Sequence, residues 1–141
     1  MSKPIHTAGY SSTPLAKKLG IKEGYKILLV NAPNHYLGLF NDLPDGLEFV
    51  TTEKAGTIDF IHFFCLSHNE LQERAVQLKT YLKKTGLLWV SWPKGSSKIN
   101  TDLKREPIRE HLLHIGLVDV KVAAIDKNWS GLKFVYRTKD R

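Results

Sequence analysis

The chain has 141 residues, 42% of them hydrophobic and 25% charged, with one cysteine, Cys65, and a net charge of +7. That length suits one domain, expected over 1–141 as an N-terminal segment with a short helix (1–24) and an α/β core (25–137). The composition excludes a low-complexity linker, a disulfide framework and a cysteine-based zinc cage. The longest apolar stretch, Phe60 to Leu66, is interrupted by His62 and is far shorter than the roughly 18 residues of a membrane span. The opening Met-Ser-Lys-Pro-Ile-His has no apolar signal core, so the cytoplasm is the expected compartment.

Charge is uneven. Residues 1–70 carry six Lys and seven acids, a balance of −1; residues 71–141 carry ten Lys, five Arg and seven acids, a balance of +8. Such a half suits an acidic partner, although no Lys/Arg-rich block stands out from an ordinary solvated surface.

Thr13 is expected to cap a short helix over 14–19, with Pro14 at its first position and Gly20 ending it in the left-handed conformation. Ile27-Leu28-Leu29-Val30 does not alternate, which predicts a strand buried on both faces. Asn31-Ala32-Pro33-Asn34-His35 breaks it, and a short helix over 34–41 would turn Tyr36, Leu37 and Phe40 inward. Strands follow at 47–50 and 58–66. Ser67-His68-Asn69-Glu70 has the spacing of a capping box, and Leu71, Ala75, Leu78 and Leu82 share one helical face, with Gly86 as the expected stop. A buried strand at 87–92, a polar loop at 93–103 and a helix at 105–115 come next. The segments 117–125 and 132–137 are joined too tightly for a crossover helix, so they form an antiparallel hairpin.

Helices alternating with buried strands imply an α/β, mostly parallel Rossmann-like sheet. The order of elements over about 20–137, closing on an antiparallel hairpin, resembles a shortened class I methyltransferase topology. The segment between Val50 and Ile58 is too short for the helix, strand and helix usual there. A second resemblance spans nearly the whole chain. Gly9-Tyr10-Ser11-Ser12-Thr13-Pro14-Leu15, Asn31-Ala32-Pro33, Trp92-Pro93-Lys94 and Trp129-Ser130-Gly131-Leu132 are similar to a small bacterial family known only as a domain of unknown function. It implies no activity.

The methyltransferase resemblance implies a glycine-rich turn after the first strand and an acidic residue ending the second. Here the turn is glycine-free, Pro33 lacks a backbone donor, and Glu53 lies three residues late. Micromolar binding of S-adenosylmethionine, and hence a cofactor, is therefore not expected. Nucleophile elbow, P-loop and zincin motifs are absent, so no catalytic residue is assigned. His111 and His114 have a metal-sharing spacing without a third ligand, His62 suits a core histidine and Cys65 a small buried hydrophobe, so no metal is expected.

Ligands of open α/β sheets bind beyond the C-terminal strand ends. That rule selects Asn31, Asn34, His35, His68, Trp92, Lys94, Ser96, Ser97, Lys98, Asp126 and Trp129. Lys94-Gly95-Ser96-Ser97-Lys98 suits an anion, Trp92 and Trp129 are expected to stack on a base or on each other, and Tyr10 is placed on a lid. The expected function is a non-catalytic module holding a small anionic or nucleotide-like ligand. Its alternatives are a nucleic-acid or acidic-protein binder using Lys83, Lys84, Lys94, Lys98, Lys104, Arg105 and Arg109, and a divergent methyltransferase.

Overall fold

The computed structural model describes residues 13–51 and 54–141. Its six strands are β1 (Lys26–Val30), β2 (Glu48–Phe49), β3 (Ile58–Phe64), β4 (Leu82–Pro93), β5 (Leu117–Ala124) and β6 (Trp129–Tyr136), in the sheet order β2-β1-β3-β4-β6-β5. β2, β1, β3 and β4 are parallel; β6 runs antiparallel to β4 and to β5. The α/β class, the parallel core and the reversed C-terminal hairpin are those expected. Because β6 enters between β4 and β5, the C-terminal end of β5 returns to the same edge as the ends of β1, β3 and β4.

Helices α2 (His68–Tyr81) and α3 (Arg105–His114) cover one face. Leu71, Ala75 and Leu78 of α2 and Ile108 and Leu112 of α3 pack on Ile61, Phe63, Leu88, Val90 and Phe134, all almost fully buried. Among the described residues the other face carries the short α1 (Leu15–Leu19) and a single 3-10 turn, Tyr36–Leu39, over Ile27, Phe60, Phe64 and Trp89.

Several local expectations are corrected. Pro14, not Thr13, is the N-cap of α1, and it makes no side-chain cap bond. The Asp42 carboxylate takes over, accepting the backbone N–H groups of Ala16 and Lys17 at 3.1 Å each. Gly20 does end α1 in the left-handed region, at φ 90°. The helix expected over 34–41 is only the 3-10 turn; it buries Tyr36 but leaves Leu37 exposed, since one turn cannot present a full helical face. Helix α2 stops at Tyr81 and β4 begins at once, so Gly86 lies inside the strand. A Cβ there would come within 3.0 Å of the Ile58 and Asp59 carbonyl oxygens, so the strand needs the missing side chain. Lys83 and Lys84 consequently leave the helix end: Lys83 pairs with Asp59 at 2.9 Å, and Lys84 sits over the Tyr136 ring. No helix among the described residues is long and apolar enough to cross a membrane.

Candidate functional site

Four loops meet beyond the C-terminal strand ends, and hydrogen bonds lock them together. β1 ends on Asn31, which adopts φ 59°, the left-handed conformation that asparagine tolerates better than most side chains. Its side-chain amide donates to the Phe64 carbonyl and to the Glu70 carboxylate, tying the first loop to the start of α2. Ser67 caps α2 by accepting the Glu70 N–H at 3.2 Å, one half of the expected box. The other half is diverted, because the Glu70 side chain reaches Asn31 and the Leu66 N–H instead.

The loop after β4 folds back across this junction. The Thr101 hydroxyl donates to the Leu66 carbonyl at 2.6 Å, and Asp102 accepts the His68 backbone N–H at 2.9 Å. Ser97 closes a turn onto the Lys94 carbonyl, and its hydroxyl accepts the Ile99 N–H. Lys94 N–H donates to the Asn128 carbonyl at 2.8 Å, joining this loop to the β5–β6 turn. There Asp126 accepts the backbone N–H groups of Asn128 and Trp129 with one carboxylate oxygen and faces His35 Nε2 at 3.3 Å with the other. The four loops thus bring Asn31, His35, Lys94, Ser97 and Asp126 into one bonded edge, with Asn34, Ser96 and Lys98 exposed beside them.

Two selected aromatics behave otherwise. Trp92 is 8% exposed inside the α2/α3 core, whereas Trp129 is 9% exposed on the opposite face, edge-on to Phe64 with centroids 5.0 Å apart. Strand alternation separates them, so they do not stack on each other, and both rings serve the core. His68 contributes its backbone N–H to the edge. Tyr10 and Glu53 lie outside the described residues.

Under the edge runs a buried polar chain centred on His62, the expected core histidine, whose partners Tyr36 and Ser91 carry no mark in the sequence. Tyr36 Oη lies 3.0 Å from His62 Nδ1, and His62 Nε2 lies 2.7 Å from Ser91 Oγ. The His62 ring stacks on Phe64 at 4.2 Å. Burial pushes its pKa down to about 3, so the imidazole is neutral, with one donor and one acceptor nitrogen to match two hydroxyls. Burial likewise raises the Tyr36 pKa. Both His62 and Ser91 are inaccessible to solvent, so the chain fixes the 3-10 turn to β3 and β4 rather than attacking a substrate. Gly131 makes room for it: a Cβ there would meet Ser91 Oγ and the Trp89 ring at 3.0 Å. The Cys65 thiol is also buried, and burial raises its pKa to about 12, which makes it a poor nucleophile. His111 is half-buried, and no group of three or more residues that could hold a metal ion occurs among the described residues.

No protein-family model matches the chain, and no curated protein does. The likeness to the small bacterial family therefore rests on the quoted motifs alone. Solved structures do match. The chain is similar to an S-adenosylmethionine-dependent methyltransferase from Aquifex aeolicus, with a TM-score of 0.60 at 16% identity over 84% of this chain and 85% of that one. It is similar to a putative type 11 methyltransferase from Sulfolobus solfataricus, with a TM-score of 0.61 at 15% identity over 88% and 90%. A 30S ribosomal A1408 methyltransferase from an uncultured bacterium matches at 0.52 and 10% identity, over 87% and 92%. The fold is that of the class I methyltransferases.

Proposed function

We propose that this chain is a divergent S-adenosylmethionine-dependent methyltransferase whose ligand sits against the loop Asn31–His35. The observation that carries the reading is the left-handed Asn31 at the end of β1, within this strand order. A glycine-free sequence argues against a sharp turn there. Asparagine supplies the turn instead, at lower steric cost than most side chains with a Cβ. An adenosyl ligand would lie along this loop, held by the Asn31 side-chain oxygen and the Asn34 side chain in place of a glycine-lined backbone, because both Asn31 amide hydrogens are already donated. Pro33 still withholds a backbone donor, so more of the binding falls to these side chains.

When bound, the ligand supplies an electrophilic methyl group on a sulfonium sulfur. The chain's own contribution is acid–base. His35 Nε2 is occupied by Asp126, which leaves Nδ1 to take the proton from an acceptor N–H or O–H. Asp126 is itself fixed by two backbone N–H groups, so it can orient the imidazole. Calorimetric titration with S-adenosylmethionine and its demethylated product tests this. The expected result is stoichiometric micromolar binding, weakened about tenfold or more in Asn31→Ala. Absence of heat and of thermal stabilisation at millimolar ligand would refute it.

The second reading is a non-catalytic module for a small anion, favoured by the polar, basic Lys94–Lys98 loop, in which Gly95, Ser96 and Lys98 are exposed. It predicts stabilisation by phosphate or nucleotides but not by S-adenosylmethionine, and loss of that effect in Lys94→Ala/Lys98→Ala.

A further inference from the structure

The charge imbalance along the sequence does not map onto the surface as halves. Several basic side chains of the second half are already neutralised: Lys83 by Asp59, Arg105 by Glu106 and Arg109 by Asp119. One group of cations without an acidic partner among the described residues lies on the face covered by α1, and it comes from both halves. Lys121 of β5 donates its ammonium to the Lys18 carbonyl at the end of α1, at 2.9 Å. It stands opposite Lys133 of β6 in the strand register. The Lys133 ammonium lies 5.9 Å from the centre of the Trp89 ring and close to Gly20.

Electrostatic coupling extends the group at both ends. Burial first, then Lys121 and Lys94, lower the Lys18 pKa; burial first, then Lys121 and Lys22, lower that of Lys133. Lys18, Lys121 and Lys133 form the centre of the group by contact and register, with Lys94 and Lys22 near enough to act on it electrostatically. Among the described residues none of the five has an acidic ion-pair partner. Holding like charges together costs stability, and a folded chain has little reason to do so unless an anion relieves the repulsion.

We propose that this lysine row is a binding surface for the phosphate backbone of a nucleic acid. A succession of cations fits a polymer of regularly spaced phosphates better than one small anion. Lysine suits the task as a point charge on a flexible stem that finds a phosphate without reading a base. An acidic protein partner fits less well, because stable protein interfaces centre on apolar anchors. The exposed valines of β5, Val120 and Val122, line a groove shared by Lys121, Arg105, Glu106, Arg109 and Asp119, so charged groups rather than an apolar anchor dominate it. Nor does an exposed large aromatic stand among the row for bases to stack on; Trp89 is fully buried. The row begins at Lys94, on the edge described above, but the inference does not depend on methyl transfer.

Fluorescence anisotropy tests it, using labelled 20-base-pair DNA and RNA duplexes of one sequence, with polyglutamate as competitor. Five neutralised phosphates would give a log–log salt slope of about −4.5 on the DNA duplex, a loss of about 500-fold between 50 and 200 mM salt. Lys22→Glu/Lys94→Glu should weaken binding at least tenfold. Neither side chain makes a hydrogen bond among the described residues, so folding is spared, as an unchanged melting temperature would verify. Lys121→Gln/Lys133→Gln should weaken it comparably. Lys104→Glu/Lys139→Glu changes net charge by the same amount elsewhere and should cost less than twofold. Tighter binding of one duplex would name the sugar. Equal loss in the Lys104/Lys139 control, competition by polyglutamate at equal charge concentration, or no binding to either duplex at 50 mM salt would overturn the proposal.

Discussion

The two faces of the sheet are built on different principles. The α2/α3 face is made of long helices with an apolar stripe, packed on residues such as Phe63, Val90 and Phe134 that are fully buried. The α1 face has one five-residue helix and one 3-10 turn, a buried chain of three polar side chains, and a row of lysines. The first face stores stability in burial, which is insensitive to pH. The second depends on matched donors and acceptors, and it carries the groups that can meet a ligand. Function in this fold is therefore expected on the face where, among the described residues, polar groups and cations gather.

Deleting a large side chain from the helical face should have the largest effect. Phe134→Ala is expected to cost about 3–5 kcal/mol in urea unfolding, because the two helices and the sheet cannot fully close the cavity. A loss under about 1 kcal/mol would mean that this face is not the main source of stability.

The opposite face should reveal itself in the pH dependence. The folded chain holds His62 neutral down to about pH 3, while the unfolded chain binds the proton near its ordinary value of about 6.5. Between those limits the unfolded state binds more protons, so stability is full above about pH 6.5 and declines as pH falls. This residue alone sets a slope of up to about 1.4 kcal/mol per pH unit. The triple variant Tyr36→Phe/His62→Leu/Ser91→Ala should lose its share of the slope. An unchanged slope would show that His62 is accessible to protons when folded.

Smaller effects sharpen the contrast. Ser91→Ala leaves one His62 nitrogen without a partner and is expected to cost about 1–3 kcal/mol, more than the deletion of one hydroxyl from an exposed site. Asp42→Ala removes the carboxylate that serves α1 from outside the helix, with an expected cost of about 0.5–2 kcal/mol and faster amide exchange at Ala16 and Lys17.

The same contrast explains what could be read from the sequence. The α2/α3 face announces itself, because the Leu71-Ala75-Leu78 stripe and the Ser67 cap are local signals. The buried runs of β1, β3 and β4 and the tight β5–β6 connection gave the strand order its outline. What was hidden depends on contacts between residues far apart in the chain. Gly86 looks like a helix stop, and only the nearby Ile58 and Asp59 carbonyls show that the strand uses it for close packing. Asp42 caps a helix 25 residues away. Trp92 and Trp129 look like a pair, but strand alternation sends them to opposite faces. Asn31 has no sequence mark that distinguishes a left-handed asparagine from an extended one. The lysine row cannot be seen along the chain, since Lys18 and Lys121 are neighbours only after β5 has returned along the sheet edge. Of the expected site, the convergence of loops was legible from topology; the bonds among Asn31, Glu70, His35 and Asp126 were not.

The central claim is that this edge receives an adenosyl ligand, and backbone amide NMR during titration with S-adenosylmethionine addresses it residue by residue. The account predicts saturable shifts concentrated in Asn31, Asn34 and His35 and in the adjoining loops at 66–68 and 126–129, with the amides of α2's Ala75 and Leu78 unmoved. A spectrum unchanged at millimolar ligand, or shifts confined to residues away from this edge, would contradict it.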